Sequence, residues 1–223
     1  MSVSLSIESK IATITMDDGK ANAVGFSLIE ALNAALDEAE AKANAIVLTG
    51  REGKFSAGFD LNVLREGSPA DAARLVNQGG ALALRLFNTA MPVIAGCNGH
   101  AIAMGCFLLL ASDIRIGTLG AFKIGANETA IGMMLPVFAA ELLKARIQPH
   151  QLTEAAITGQ LYSPTDAVSR GFLDRAVEPE QMLPAAQAEA ERLGALPRAA
   201  YAGNKTLIRK PFIDAIAPTV SAQ

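Results

Sequence analysis

The sequence contains no tryptophan, and only two cysteines and two histidines occur in its 223 residues. Cys97 and Cys106 lie in apolar, glycine-rich surroundings, without the Cys/His spacing that typifies metal sites or disulfide frameworks. We therefore expect two small buried thiols, no bound metal and a reducing compartment.

Long hydrophobic runs and strongly basic stretches are also missing. The longest apolar stretch, residues 101–111, has about half the length of a membrane-spanning helix and contains Gly105. Net charge is −3, and lysine and arginine cluster only at 205–210, which argues against nucleic-acid binding. No secretory signal pattern opens the chain. We predict a cytoplasmic protein that binds neither nucleic acid nor a membrane.

What the sequence does contain is hydrophobic periodicity of two kinds. Apolar and polar side chains alternate over residues 3–7 and 12–16, which predicts a hairpin. Residues 26–42 carry leucine and isoleucine at helical spacing, and 45–49 form a short apolar run typical of a buried strand. The pattern continues with strands predicted at 92–95, 113–116 and 121–124, glycine-rich turns at 55–60 and 97–106, and helices at 105–111 and from 136 onward. This order predicts an α/β fold.

Six collinear segments resemble motifs of the crotonase superfamily, the enoyl-CoA hydratase/isomerase family. Each motif is short, but six in the same order span nearly the whole chain. They are KANAV (20–24), FSAGFDL (55–61), PVIAGCNGHAIAMGC (92–106), ASDIR (111–115), GANETAIG (125–132) and SPTDAVSRGFLDRAV (163–177).

The resemblance implies one crotonase-like domain over residues 1–223. It would consist of a spiral of ββα units over about 1–177 and a C-terminal helical region over about 178–223. The tail after Asn204 is shorter than in many members, which leaves open how much of the usual helical cap, and of its CoA contacts, is present. Members commonly form trimers or paired trimers, so we expect a homotrimer or a hexamer.

The resemblance also implies chemistry on an acyl-CoA thioester. Two backbone N–H groups of the family stabilise the negative charge that develops on the thioester oxygen. At the matching positions these are the N–H groups of Phe59 and Met104, where many members have glycine in place of Met104. Gly105 allows close approach, and the helix that it opens directs its positive end at the oxygen. The alternative is that Phe59 and Met104 only pack a core.

The carboxylates indicate which reaction is involved. Family hydratases use two glutamates, and here the first of these positions is Phe107, which cannot transfer a proton. The second is Glu128, in an Asn-Glu-Thr turn that resembles the mitochondrial-type 3-enoyl-CoA to 2-enoyl-CoA isomerases with a single glutamate. We predict isomerisation with Glu128 as acid/base, its pKa raised by apolar surroundings, and Phe107, Met133 and Met134 excluding water.

Three alternatives remain open at this point. Glu128 could be an exposed glutamate that caps the next segment. The chain could be an enoyl-CoA hydratase that uses Glu128 alone, with a water held by backbone groups. It could also be a non-catalytic acyl-CoA-binding relative, as the changes at Phe107 and Met104 would allow.

The substrate-binding positions follow from the resemblance as well. CoA is part of the substrate, so no separate cofactor is expected. Lys205 or Arg209 would contact the phosphates unless their helix is simply solvated. His100 is expected to pack or to form a turn hydrogen bond rather than act as a base, and His150 to lie at the surface. The residues that would contact the acyl-CoA are Lys20, Ala21, Ala23, Ala57, Asp60, Leu61, Gly105, Phe107 and Met133.

Overall fold

The computed structural model describes residues 2–220. The chain opens with the predicted hairpin, in which β1 (Val3–Glu8) pairs antiparallel with β2 (Ile11–Met16). Ser9 and Lys10 join the strands with φ angles of 48° and 65°, the left-handed backbone that matches a two-residue turn to the strand twist. The predicted hairpin is confirmed.

The remaining elements follow as pairs of strands and covering helices. Short 3₁₀ turns occupy Thr129–Ile131, Pro149–Gln151 and Ala217–Thr219. In chain order the elements are α1 (Phe26–Lys42), β3 (Ala45–Thr49), β4 (Gly53–Ser56), α2 (Leu61–Glu66), α3 (Pro69–Asn88), β5 (Val93–Cys97), β6 (Gly99–Ile102), α4 (Met104–Ala111), β7 (Ile114–Thr118), β8 (Ile124–Gly125), α5 (Val137–Arg146), α6 (Leu152–Ile157), α7 (Pro164–Arg170), β9 (Arg175–Val177), α8 (Pro179–Gly194) and α9 (Arg198–Ile216).

Two sheets alternate along the chain. The larger has the order β1-β2-β3-β5-β7-β9 and is parallel from β2 onward, and the smaller has the parallel order β4-β6-β8. Each pair β3/β4, β5/β6 and β7/β8 gives one strand to each sheet before the chain enters a helix. The fold is therefore the predicted α/β spiral of ββα units followed by C-terminal helices.

The sequence interpretation is wrong at two strands of the smaller sheet. Residues 55–56 and 99–102 fall in the predicted glycine-rich turns, whereas they belong to β4 (Gly53–Ser56) and β6 (Gly99–Ile102). The glycines serve strand pairing: a Cβ on Gly99 would lie 1.9 Å from the carbonyl carbon of Gly53. Of the strand predicted at 121–124, only its last residue belongs to a strand, β8.

At β3 both faces of the larger sheet are buried, which explains the unbroken apolar run of this strand. Ile46 and Leu48 face a cluster shared with α1, α3, α4 and α5, while Ala45 and Val47 face α8. Helix α8 meets that face through Met182, Ala186, Ala190 and Leu193, at helical spacing. Within residues 2–220, no helix combines the length and apolar character needed to cross a membrane.

Helix α9 is fixed to the core through buried charges, and the predictions for its two cations are wrong. Lys205 Nζ lies 2.8 Å from Asp113 Oδ2 and donates to the Met91 carbonyl, and both side chains are less than 10% exposed. Arg209 lies 2.7 Å from Asp113 Oδ1 and donates to the carbonyl of Phe87 near the end of α3. These cations are therefore neither solvated nor directed at a CoA phosphate; they hold α9 in place.

Removing the carboxylate should loosen this attachment. We expect Asp113→Ala to lower the free energy of unfolding by about 3–5 kcal/mol, because it leaves buried cations unpaired. Asp214→Ala is the control, since its ion pair with Lys210 is exposed and contributes about 1 kcal/mol or less. Urea denaturation measures both, and equal losses would contradict a structural role for Asp113.

Candidate active site

Three loops leave the smaller sheet at the same edge. Ser56 in β4 pairs with Ala101 in β6, and Ile102 pairs with Gly125 in β8. Because the strands are parallel, the segments that follow them, 57–59, 103–104 and 126–128, emerge together at the carboxyl ends. This is the edge at which parallel sheets place their binding sites. The sheet thus brings together Phe59, Met104 and Glu128.

The N–H group of Phe59 points away from its neighbouring strand residue. Val24 donates to the Gly58 carbonyl at 2.8 Å and accepts from the Asp60 N–H at 3.1 Å. In this parallel bridge, Phe59 lies between the two bonded groups, so its own N–H is directed to the opposite side.

The N–H group of Met104 lies at the start of α4. Ala103 has φ 51° and ψ −122°, a backbone that residues with a Cβ rarely adopt, and this ψ orients the Ala103–Met104 peptide. The Ala103 carbonyl accepts from the Phe107 N–H, so the Met104 N–H points out of the helix end. Among residues 2–220, neither Phe59 N–H nor Met104 N–H has an acceptor.

The two turns that carry these N–H groups are in contact. Gly58 has φ 100°, and a Cβ at this position would lie 3.0 Å from the Ala103 Cβ and 3.6 Å from the Met104 nitrogen. Both side chains of the pair pack inward: Phe59 and Met104 meet α3 at Gly79, where an added Cβ would lie 2.4 Å from the Phe59 ring and 3.5 Å from Met104 Cε. The side chains of Phe59 and Met104 can therefore pack in the core while their backbone N–H groups remain available to a ligand.

Helix α3 contains a second glycine, Gly80, on a different side. A Cβ there would lie 2.6 Å from Val220 and 2.7 Å from Phe138. One turn of α3 therefore contacts the candidate site through Gly79 and the C-terminal end of the described chain through Gly80.

The carboxyl group of Glu128 is buried and lacks a partner. The residue is 5% exposed, and its Oε2 has no hydrogen-bond partner within residues 2–220. Burial raises the pKa of Glu128 from 4.5 to about 7, as predicted. The pKa of the Cys106 thiol is raised, first by burial and then by the charge of Glu128. The alternative of an exposed capping glutamate is wrong.

Asn127 supplies a second buried acceptor beside Glu128. Its Oδ1 also has no hydrogen-bond partner in the described part of the chain. The sequence interpretation did not single out this residue, although it stands in the quoted GANETAIG segment.

Of the three residues predicted to exclude water, two are at least partly shielded from solvent and one is not. Phe107 is fully buried and packs edge-on to Phe138, with ring centroids 5.8 Å apart. Met133 is half-buried, whereas Met134 is 89% exposed and does not exclude water in this chain.

A cavity of about 480 Å³ lies between α2, α3 and the 3₁₀ turn Thr129–Ile131, and none of Phe59, Met104 and Glu128 lines it. Leu61 and Met133, both predicted to contact substrate, line it. Asp60 does not line it: its carboxylate caps α2 by accepting the Asn62 N–H at 2.9 Å. The other lining residues are Leu64, Arg65, Ala72, Ala73, Val76, Asn77 and Ile131.

The loop at 17–23 adjoins the Phe59 turn. Ala57 N–H donates to the Ala21 carbonyl at 3.0 Å, and the Ala23 N–H is held by Asp18. Lys20 is exposed, and its carbonyl accepts from Arg51. The structure thus places residues 20–23 against Ala57, and Lys20, Ala21, Ala23 and Ala57 were all predicted to contact the acyl-CoA.

Both histidines lie where the sequence predicts. His100 Nδ1 accepts from the Lys123 N–H at 3.0 Å, and its ring packs edge-on to Phe122. His150 is exposed. Both thiols are buried and free. Within residues 2–220, no three His, Cys, Asp or Glu side chains converge to hold a metal ion.

The spiral of ββα units and the three loops at one sheet edge define a protein of the crotonase class. The family model described as enoyl-CoA hydratase/isomerase matches residues 6–222. The chain belongs to the enoyl-CoA hydratase/isomerase family, and it is an enzyme of that type.

Individual relatives include both named activities. The structure of a probable enoyl-CoA hydratase from Mycobacterium tuberculosis superposes with a TM-score of 0.95 at 38% identity, covering 98% of this chain and 93% of that one. Human mitochondrial delta3-delta2-enoyl-CoA isomerase gives a TM-score of 0.94 at 26% identity, covering 98% and 87%. The short-chain-enoyl-CoA hydratase of Clostridium acetobutylicum is 27% identical over 195 residues, which are 86% of this chain and 74% of that protein.

Burial of Glu128 should make stability depend on pH. Between pH 4.5 and about 7 the folded carboxyl keeps its proton while the unfolded one loses it, so the free energy of unfolding falls as pH rises through this window, by about 3 kcal/mol. We expect Glu128→Gln to be more stable than the parent at pH 8 by up to this amount, and equally stable at pH 4. Urea denaturation across pH measures this, with exposed Glu180→Gln as control. A pH-independent difference would contradict it.

Proposed function

We propose that the protein isomerises 3-enoyl-CoA to 2-enoyl-CoA thioesters with Glu128 as the only acid/base. The Glu128 carboxylate removes a proton from C2, and the charge moves to the thioester oxygen. That oxygen accepts hydrogen bonds from the Phe59 and Met104 N–H groups. The protonated Glu128 then returns a proton to C4 while the double bond moves to C2–C3.

One observation carries this proposal. The buried Glu128 carboxyl group follows β8 at the sheet edge where the Phe59 and Met104 N–H groups follow β4 and β6, and neither its Oε2 nor the two N–H groups have a hydrogen-bond partner within residues 2–220. Phe107 supports isomerisation over hydration, because a ring packed on Phe138 offers nothing to hold a second water or proton. A pKa near 7 suits a group that must both accept and return a proton.

We also propose which residues contact the CoA moiety and the acyl chain. The loop residues Lys20, Ala21 and Ala23, together with Ala57, would border the CoA moiety. The cavity lined by Leu61 and Met133 has the apolar lining that an acyl chain requires. CoA enters as part of the substrate, so no separate cofactor takes part. Gly105 permits α4 to approach β4, while Asp60 acts through the cap of α2.

A second candidate reaction is hydration of 2-enoyl-CoA. It is favoured by the Asn127 Oδ1, one residue before Glu128, because a buried acceptor without a partner in the described chain can hold a water. Hydration would then proceed with one carboxylate.

Two substrates separate the reactions. With a 3-enoyl-CoA, we expect the near-UV absorbance of a conjugated thioester to appear; with crotonyl-CoA, we expect this absorbance to persist. Its loss, with formation of the 3-hydroxy product, would establish hydration instead and overturn isomerisation as the main activity.

Removing the proposed base should abolish turnover. Glu128→Gln is expected to lower kcat with 3-enoyl-CoA by about 10²–10⁴-fold with acyl-CoA binding retained, because general acid–base transfer contributes that much. In the parent, kcat/KM should rise with pH around a midpoint near 7, since the base must be ionised. Exposed Glu180→Gln should change neither quantity. Retained turnover in Glu128→Gln would refute the assignment.

We also propose that the protein assembles as a homotrimer or a pair of trimers. Met134, Leu207 and Ile208 are 89%, 71% and 75% exposed in the single chain, and contact between copies would cover such side chains. Light scattering should give three or six times the 23.2 kDa chain mass. Replacing Leu207 and Ile208 together by aspartate should lower that mass if this part of α9 lies in the contact. A single-chain mass for the parent would contradict assembly.

A further inference from the structure

Ser56 ends β4 directly before the turn that carries the Phe59 N–H group. The residue is completely buried, and its hydroxyl has a partner on each side. It donates to the Asn22 carbonyl at 2.7 Å and accepts from the Gly58 N–H at 3.3 Å. The hydroxyl therefore links the loop at 17–23 to the Gly58–Phe59 turn.

Asn22 gives this link a fixed anchor. It is completely buried with φ 51°, and its Nδ2 donates to the carbonyls of Met16, Lys54 and Phe55 at 2.9–3.1 Å. Its Oδ1 accepts from the Asp18 N–H at 2.9 Å. With its side-chain amide saturated in this way, Asn22 holds its own carbonyl in one place.

Ser56 also meets the second turn of the site. A Cβ on Gly105 would lie 2.4 Å from the Ser56 carbonyl oxygen and 2.8 Å from its Cβ, so the first turn of α4 rests directly on Ser56. The same residue thus contacts the segment that carries the Met104 N–H.

Gly58 needs such a restraint. As a glycine with φ 100°, it has more freedom than other residues to rotate the peptide that presents the Phe59 N–H. Without the hydroxyl, the Gly58 N–H would lose its acceptor, and the turn would be held by the two bonds of Val24, to the Gly58 carbonyl and from the Asp60 N–H.

We propose that Ser56 is a positioning residue, which sets the Phe59 N–H relative to the Met104 N–H through its contacts with Asn22, Gly58 and Gly105. This inference rests on the proposed thioester chemistry. Ser56 itself does not touch the substrate; it acts through the spacing of the two donors.

Bound acetoacetyl-CoA tests the inference without turnover. Its 1,3-dicarbonyl forms an enolate with a near-UV absorbance, and two well-placed N–H donors favour that form. In Ser56→Ala we expect at least a tenfold loss in the enolate-to-keto ratio. With a 3-enoyl-CoA, kcat should fall about 10- to 100-fold and KM should change less than about threefold, as a displacement of about 1 Å of a site group would cause.

Ser112→Ala is the matched control. Ser112 is also completely buried and donates to a main-chain carbonyl, that of Leu108, but it lies at the far end of α4. We expect comparable loss of thermal stability in both alanine variants, with an unchanged enolate ratio and kcat in Ser112→Ala. Ser56→Cys retains a weak donor and acceptor and should be intermediate; it carries the test if Ser56→Ala does not fold.

An enolate ratio and kcat in the Ser56 variants equal to those of the parent would overturn the inference. Equal losses in Ser112→Ala would also overturn it, because they would reduce Ser56 to a general stability effect. Absence of the enolate band in the parent would instead overturn the proposed function, and this inference with it.

Discussion

The candidate site depends on direct backbone contact between β4, β6 and the first turn of α4. A side chain at Gly99 would collide with Gly53, and one at Gly105 would collide with Ser56. Only glycine permits these approaches, and they bring the carboxyl ends of β4, β6 and β8 to one edge. From that edge the chain presents one buried carboxyl group and two N–H groups that have no acceptor within residues 2–220. Phe59, Met104 and Glu128 all follow strands of the smaller sheet, so the candidate site depends on this sheet rather than on the larger one.

The buried carboxyl group of Glu128 lowers the free energy of unfolding at neutral pH. Glu128 has no partner in the described chain, and its desolvation opposes ionisation at neutral pH. A partner cation would lower the pKa of Glu128 and stabilise the fold, but it would also weaken the carboxylate as a base. In the proposed isomerisation, the burial of Glu128 therefore favours proton transfer at some cost in folding free energy.

Much of the fold could be predicted, because β1, β2, α1 and β3 carry clear periodicity. The smaller sheet could not, since Gly53 and Gly99 read locally as turn residues and show their purpose only when paired. Lys205 and Arg209 were misjudged for a similar reason: their partner Asp113 lies far away in sequence, so the spacing suggested a solvated face. Asn22, in a run of turn-forming residues, gave no signal of burial. In the site, motif resemblance brought out Glu128, Phe59 and Met104, whereas Ser56 and Asn127 required coordinates.

The adjacent glycines of α3, Gly79 and Gly80, restrict what can occupy this turn of the helix. Each lowers helix propensity by about 1 kcal/mol relative to alanine, yet neither position has room for a Cβ. Gly79 lies under the ring of Phe59, and Gly80 receives Val220 and Phe138. An alanine at position 79 would therefore displace the Phe59 ring at the candidate site, whereas one at position 80 would disturb the packing of Val220 and Phe138 instead.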